Sequence, residues 1–247
     1  MRATLFTILG VLLAGISALA QNSAPDVNTI VSRMQTAMAG RNHDRAYSVT
    51  REYTLAPEDA SKASRVVAEI NSVPEGKSYT ITQGSGQAEK VVRKVLDHET
   101  QTANDHTGAG LTIQNYDFTY MGTGAVDGHI CYMLQLTPRH DGKDLVKGKV
   151  WVDAETYLVR QLSGSPVKSP SWWIKDLDVT LHYRDMDGLW LQDSTVAVAQ
   201  VRLVGKHTLT ERAVDVRAGT VEAAQRATHN RRRPNAALLG AGVFNNR

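Results

Sequence analysis

Two hydrophobic periods alternate along this 247-residue chain. Over 26–39, apolar residues recur every three or four positions, with Val27, Ile30, Val31, Met34 and Met38 on one stripe. Ser23 or Asp26 can cap the start and Gly40 stops it, so the segment predicts a helix. From residue 46 the period becomes two. Strands are expected over 46–55, 64–73 and 77–84, the last two joined by the turn Pro74-Glu75-Gly76. A second helical pattern, 88–102, interrupts them, with Val91, Val92, Val95 and Leu96 on one side. Strands resume over 115–123 and 129–139, separated by Asp127-Gly128. Two arms then flank Asp153-Ala154-Glu155-Thr156 within 147–166. The series ends with 172–185, 189–204 and 206–217. About ten short strands at this spacing indicate an all-β sandwich or barrel. No repeat of 20–50 residues is present, which argues against a solenoid or propeller.

The strand faces sharpen this picture. Leu177, Val179, Leu181 and Tyr183 share one face of their strand, and Asp178, Thr180, His182 and Arg184 share the other. Val150 and Val152 point opposite to Lys149, Trp151 and Asp153. Ile130, Tyr132, Leu134 and Leu136 align in the same way. One apolar face and one wet face, in consecutive antiparallel strands, describe a meander. A strongly twisted sheet of this strand count curls. Its apolar inner face then needs cover, and two helices are available. Either side chains fill the interior or a space for a hydrophobic ligand remains.

The chain begins with an apolar stretch that has the form of an export signal. Arg2 precedes a nearly unbroken apolar run over 4–16, and Ala18-Leu19-Ala20 forms a small-residue cleavage site. A secretory signal over 1–20, cut before Gln21, is expected; the alternative is an uncleaved membrane anchor. The folded domain is then 21–218, and 219–247 is a basic, Pro-broken tail expected to be disordered. The net charge of +3 is unevenly placed. Arg2 and the five arginines after Glu222 account for six of the 28 basic residues, which leaves 22 to face all 25 acidic ones. The domain itself is mildly acidic, which argues against a nucleic-acid partner. Cys131 is the single cysteine, so no internal disulfide can form; in an apolar strand it reads as core filler.

Reactive chemistry is sparse. His98, His106 and His140 each have an acidic neighbour, but the eight histidines show no ligand spacing, so no metal and no cofactor are expected. There is no G-x-S-x-G. Gly122 to Gly128 lies between strands and reads as hairpin chemistry, not a phosphate loop. The protein is therefore read as a non-enzyme. Trp172 and Trp173 are adjacent, so in a strand only one of them can face inward. The other sits at a rim, at an interface or under a loop.

An apparent export signal, one amphipathic helix and a long meander broken by a second helix resemble the LolA-like superfamily. This superfamily includes periplasmic outer-membrane lipoprotein carriers, lipoprotein-sorting-like proteins and sensor domains of the MucB type. The resemblance rests on 115–138, on the hairpin 147–164 and on the closing pair 187–217. It implies a mainly β fold with a few helices: a curled antiparallel sheet forming an unclosed β-barrel, with a helical lid over an apolar cavity. Implied with it is a periplasmic, monomeric carrier of lipoprotein or lipid acyl chains that meets a membrane-protein donor or acceptor. The alternative is an envelope sensor or scaffold with a filled barrel that binds a protein partner. The cavity-lining residues would be Tyr132, Leu134, Leu136, Val150, Val152, Trp172, Leu177, Val179, Leu181 and Tyr183.

Overall fold

The computed structural model describes residues 26–39, 41, 45–105, 110–142 and 144–219. The expected signal over 1–20 and nearly all of the expected tail lie outside these residues. Helix α1 spans Val27–Ala39. Strands β1 (Ala46–Pro57), β2 (Ser64–Val73) and β3 (Gly76–Gln83) follow, with one 3₁₀ turn at Ala60–Lys62. Helix α2 spans Gly86–Asn104. Then come β4 (Tyr116–Val126), β5 (His129–Pro138), β6 (Val146–Asp153), β7 (Val159–Pro166), β8 (Ile174–Met186), β9 (Leu189–Val201) and β10 (Gly205–Gly219).

All ten strands form one antiparallel sheet in the order β3-β2-β1-β10-β9-β8-β7-β6-β5-β4. The topology has a simple logic. Consecutive strands pair with each other everywhere except at β3 and β4, and one further pairing joins the two ends of the series. The last strand, β10, returns to the first, β1. The chain between β3 and β4 does not make a hairpin but forms α2, so β3 and β4 become the two open edges. Had β3 and β4 paired, the sheet would be a closed barrel. The expected unclosed barrel is therefore present, and its gap is the point where the sequence period changes from two to 3.6.

The strands are longer or shorter than expected at several ends. β1 continues to Pro57, and β9 stops at Val201 where a turn over 202–204 begins. Trp172 and Trp173, expected at the start of a strand, lie in the turn before β8. Asp153, placed on the wet face of its hairpin, is buried. Its carboxylate accepts the backbone N–H groups of Glu155 (3.0 Å) and Thr156 (2.8 Å) and pairs with Arg160 at 2.5 Å. The tight turn needs these bonds, because Tyr157 within it has φ +59°. Ile130 is 67% exposed, so the inner face of β5 begins only at Tyr132.

Each helix covers one end of the sheet. The α1 stripe is as expected: Ile30, Val31 and Met34 are buried against Tyr116, Leu134, Leu136, Leu145, Val150, Val152 and Val159. The α2 stripe is narrower. Ala88, Val92 and Leu96 are buried against Tyr53, Val66, Ala68 and Ile70, while Val95 turns outward. The far end of α2 is tied to β3 by Asn104, whose side chain accepts from the Lys77 N–H (2.6 Å) and donates to its carbonyl (3.1 Å), as a neighbouring strand would. Gly76 leaves room for this bond, since a Cβ there would meet the Asn104 side-chain oxygen at 2.3 Å.

Candidate functional site

The strand register settles which residues share a face. One unbroken row of cross-strand neighbours runs Leu134, Val150, Leu162, Leu181, Thr195, Glu211, Tyr53, Val66. A second row, two residues along each strand, runs Leu136, Gly148, Gly164, Val179, Ala197, Leu209, Leu55, Ser64. Opposed residues in an antiparallel pair lie on the same side. The first row begins in the α1 cluster and ends in the α2 cluster, so both helices sit on one face. That face is the inside of the curl.

Between the two clusters the inner face is only half covered. Leu162, Leu177, Val179, Leu181, Ala197 and Leu209 are neither fully buried nor fully exposed. The floor here is low because Gly148 and Gly164 face each other; a Cβ on Gly148 would come within 2.0 Å of the Ser163 carbonyl. The result is a shallow apolar strip crossing the middle of the sheet, walled by α1 on one side and α2 on the other.

The α2 wall carries a buried ionic cluster that the hydrophobic pattern did not reveal. Arg51 of β1 points inward and is buried. It binds Glu99 of α2 at 2.8 Å and Glu211 of β10 at 3.1 Å. Lys77 of β3 reaches the other Glu99 oxygen at 3.1 Å. Gln192 donates to Glu211 (2.9 Å) and to Thr195 (2.7 Å). Burial alone would weaken the Arg51 charge, but the two carboxylates outweigh it and hold the guanidinium more firmly protonated than usual. Burial alone would raise Glu99, yet Arg51 and Lys77 pull it below the usual carboxylate range. Glu211 goes the other way: burial outweighs Arg51, and Glu99 repels it, so its pKa is raised. The Tyr183 hydroxyl, near the same charges, is pushed up to about 12, mainly by burial. A signal for this cluster did exist. Arg51 and Glu211 each occupy an inward position of an alternating strand, Arg51 between Val49 and Tyr53, and Glu211 between Leu209 and Ala213.

The α1 wall is dry by comparison. Its polar fringe is a set of aromatics: Tyr132 lies 6.0 Å from Tyr157 and 6.4 Å from Tyr120. Arg33 stacks on Tyr157 at 5.1 Å and donates to its hydroxyl at 3.2 Å.

Two contacts carry α2 across to the far half. His98 meets Asp144, in the loop before β6, at 2.8 Å. Lys94 stands 5.9 Å above the ring of Trp173, in the turn before β8. Asp144 leads into β6 and Trp173 into β8, so α2 also touches the loops beside the strip.

The ten residues expected to line a cavity divide into three groups. Leu134, Leu136, Val150 and Val152 are fully buried, and with the half-buried Tyr132 they pack in or against the α1 core. Leu177, Val179, Leu181 and Tyr183, all on β8, form the half-covered strip. Trp172 is set apart from them: it is 83% exposed, in the turn before β8. Among the described residues no group of three or more His, Cys, Asp or Glu is placed to hold a metal ion. No described helix is long and apolar enough to cross a membrane.

A curled, open antiparallel sheet with two helices on its inner face is the LolA-like fold, and this chain has it. No family model and no curated protein matches the sequence. Among solved structures, the chain resembles a domain described as outer membrane lipoprotein-sorting from Vibrio parahaemolyticus. The two share 14% identity and a TM-score of 0.51 over 82% of this chain and 99% of that one. A DUF1329 family protein from Desulfovibrio piger gives 14% and 0.49 over 81% and 95%. A LolA superfamily protein from Nitrosomonas europaea gives 12% and 0.40 over 78% and 94%.

Proposed function

We propose that this protein is a periplasmic, non-enzymatic carrier that holds acyl chains of a lipoprotein, or another hydrophobic ligand, on the central strip. The observation that carries this reading is the half-covered apolar row between two separately packed helices. A filled barrel would bury these residues. Here Leu181, Val179 and Leu209 keep part of their surface in reach of a ligand, and a wall that can move stands beside them. Burial of an acyl chain gains about 0.8 kcal/mol per CH₂. Release to a membrane-protein acceptor then needs an opposing term, and the ionic cluster under α2 supplies one, because it is restored when α2 returns. The fold of the lipoprotein-sorting domain supports the same reading by analogy.

The test uses Leu181→Glu. A carboxylate on the strip abolishes binding of a fluorescent fatty-acid probe while the protein still folds, since the position retains access to water. A folded variant that binds the probe like the wild type would overturn the assignment. Native mass spectrometry of protein purified from the cell envelope reads the ligand itself, as co-purifying mass.

A second reading is a sensor or scaffold that binds a protein through a sheet edge. It draws on the two edge strands, β3 and β4, each with one side unpaired in the sheet. It predicts that Leu181→Glu leaves partner binding intact, and that a proline in β4 removes it.

A further inference from the structure

Leu203 and Trp172, the two most exposed large hydrophobic side chains among the described residues, fall together with Val204 at one place that the carrier reading does not use. Leu203 and Val204, in the turn between β9 and β10, are 104% and 63% exposed, and Trp172, in the turn before β8, is 83% exposed. These turns are neighbours. The Arg202 N–H donates to the Trp173 carbonyl at 2.8 Å, and the Arg202 Nε donates to the Trp172 carbonyl at 3.0 Å. The Ser169 hydroxyl braces the second turn through the carbonyls of Ser171 (2.8 Å) and Ile174 (2.9 Å). Leu203 has φ +71°, a conformation that costs a leucine energy, and it is held there with its side chain in solvent.

Charge surrounds this tip. Residues 167–176 and 200–208 contain four basic side chains, Lys168, Lys175, Arg202 and Lys206, all exposed, against one acid, Asp176. The adjoining β1–β2 connection adds Glu58, beside Gly205, and the pair Lys62–Asp59. The tip stays cationic on a domain that is acidic as a whole.

We propose that this tip docks on an anionic lipid bilayer, with Trp172, Leu203 and Val204 entering the interface and the lysines and Arg202 meeting lipid phosphates. The shape favours a bilayer over a protein. A stable protein interface needs about 800 Å² of complementary surface per partner. A protrusion of three side chains ringed by cations instead suits a fluid medium that closes around it. Tryptophan favours the headgroup level, and basic residues favour anionic lipid. The tip also adjoins the site: Trp173, next to Trp172, is the residue under Lys94 of α2. Docking would bring the α2 wall to the membrane. The proposal stands apart from the ligand reading, since it depends on the outer turns alone.

The test places a reporter on the tip. Cys131 is fully buried, so in a Leu203→Cys variant of the full chain an environment-sensitive fluorophore labels residue 203 selectively. Vesicles of equal parts phosphatidylcholine and phosphatidylglycerol should shift its emission to the blue. Pure phosphatidylcholine should do so far less, and salt should reverse the shift. Adsorption through any other part of the chain does not register at this label. Replacing Lys168 or Lys206 by Gln should weaken the response about fivefold for each cation removed. Trp172→Ser should weaken it further while leaving fatty-acid probe binding unchanged. The same label at Met121→Cys, on the edge strand β4, should stay in water. A label at 203 that does not respond to anionic vesicles overturns the proposal. So does one that is shielded by concentrated protein without lipid, which would assign the tip to a second copy of the chain.

Discussion

The two ends of the half-barrel cover the same face by different physics. At the α1 end, Ile30, Val31 and Met34 lie on an aliphatic bed of Leu134, Leu136 and Val150, with no carboxylate in the cluster. At the α2 end, three small or medium apolar residues make the contact, and Glu99 is locked to Arg51 and, through it, to Glu211. Dispersion and burial are non-directional and weaken gradually as surfaces part. A desolvated ion pair is directional, and its members regain water when it opens, which offsets much of the loss. The α1 end is therefore held by apolar contact throughout, whereas the α2 end adds a directional ionic lock, the element that opens in the proposed carrier reading.

The largest way to break this contrast is Arg51→Ala. It leaves two carboxylates facing each other in a buried site, and should cost about 3–5 kcal/mol of stability, read by denaturant unfolding. Combining Arg51→Met with Glu99→Leu and Glu211→Leu should recover most of that loss, since well-packed apolar residues replace buried ion networks at little cost. The triple variant should also hold α2 shut and slow the release of a fatty-acid probe. Recovery of stability without any change in release would remove the cluster from the opening step.

Leu134→Ala is the matching cut at the α1 end. Leu134 is fully buried between Tyr120 and Val150 in register, so the substitution should cost about 3 kcal/mol through lost burial and the cavity left behind. It should leave probe release unchanged, because in the proposed carrier reading α2 is the wall that opens. A smaller effect is expected for Asn104→Ala. It removes two bonds to the edge of β3 and should destabilise α2 by about 1–2 kcal/mol. Hydrogen exchange should localise this loss to the last turns of α2.

The smallest and most diagnostic effect is pH dependence. Glu99 is lowered, so its contribution is present above its ordinary value of 4.5 and is lost as pH falls below it. Glu211 is raised from 4.5, so in the wild type stability declines as pH rises through its folded value. Glu211→Gln should remove that decline and gain relative stability as pH increases above 4.5. Exchange protection in α2, corrected for intrinsic rates, should follow pH on both sides, while α1 should not. Equal pH dependence in both helices would erase the distinction between the two ends.

Much of the fold is legible in the sequence, and the reason lies in local periodicity. The alternation in 177–183 and the stripe Val27, Ile30, Val31, Met34 need no knowledge of distant partners, because side-chain direction repeats every two residues in a strand and every 3.6 in a helix. Turn residues such as Asp127-Gly128 and Asp187-Gly188 mark hairpins by their tolerance of positive φ. The sequence by itself thus determined ten strands, two helices and which side of β8 is apolar. Register across ten strands is a different kind of information. Register sets Arg51 of β1 diagonally from Glu211 of β10, 160 positions away, and the packing of α2 brings Glu99, 48 positions away, to the same guanidinium. It places Leu134 and Val150 under α1 but leaves Leu181 half open, although all three read alike as inward positions. Trp172 is left in an exposed turn, because β8 starts two residues later than the apolar pattern indicates. Periodicity decides which way a side chain points. What it then meets depends on the return of β10 to β1 and on the helix that keeps β3 from β4, and only the tertiary structure decides that.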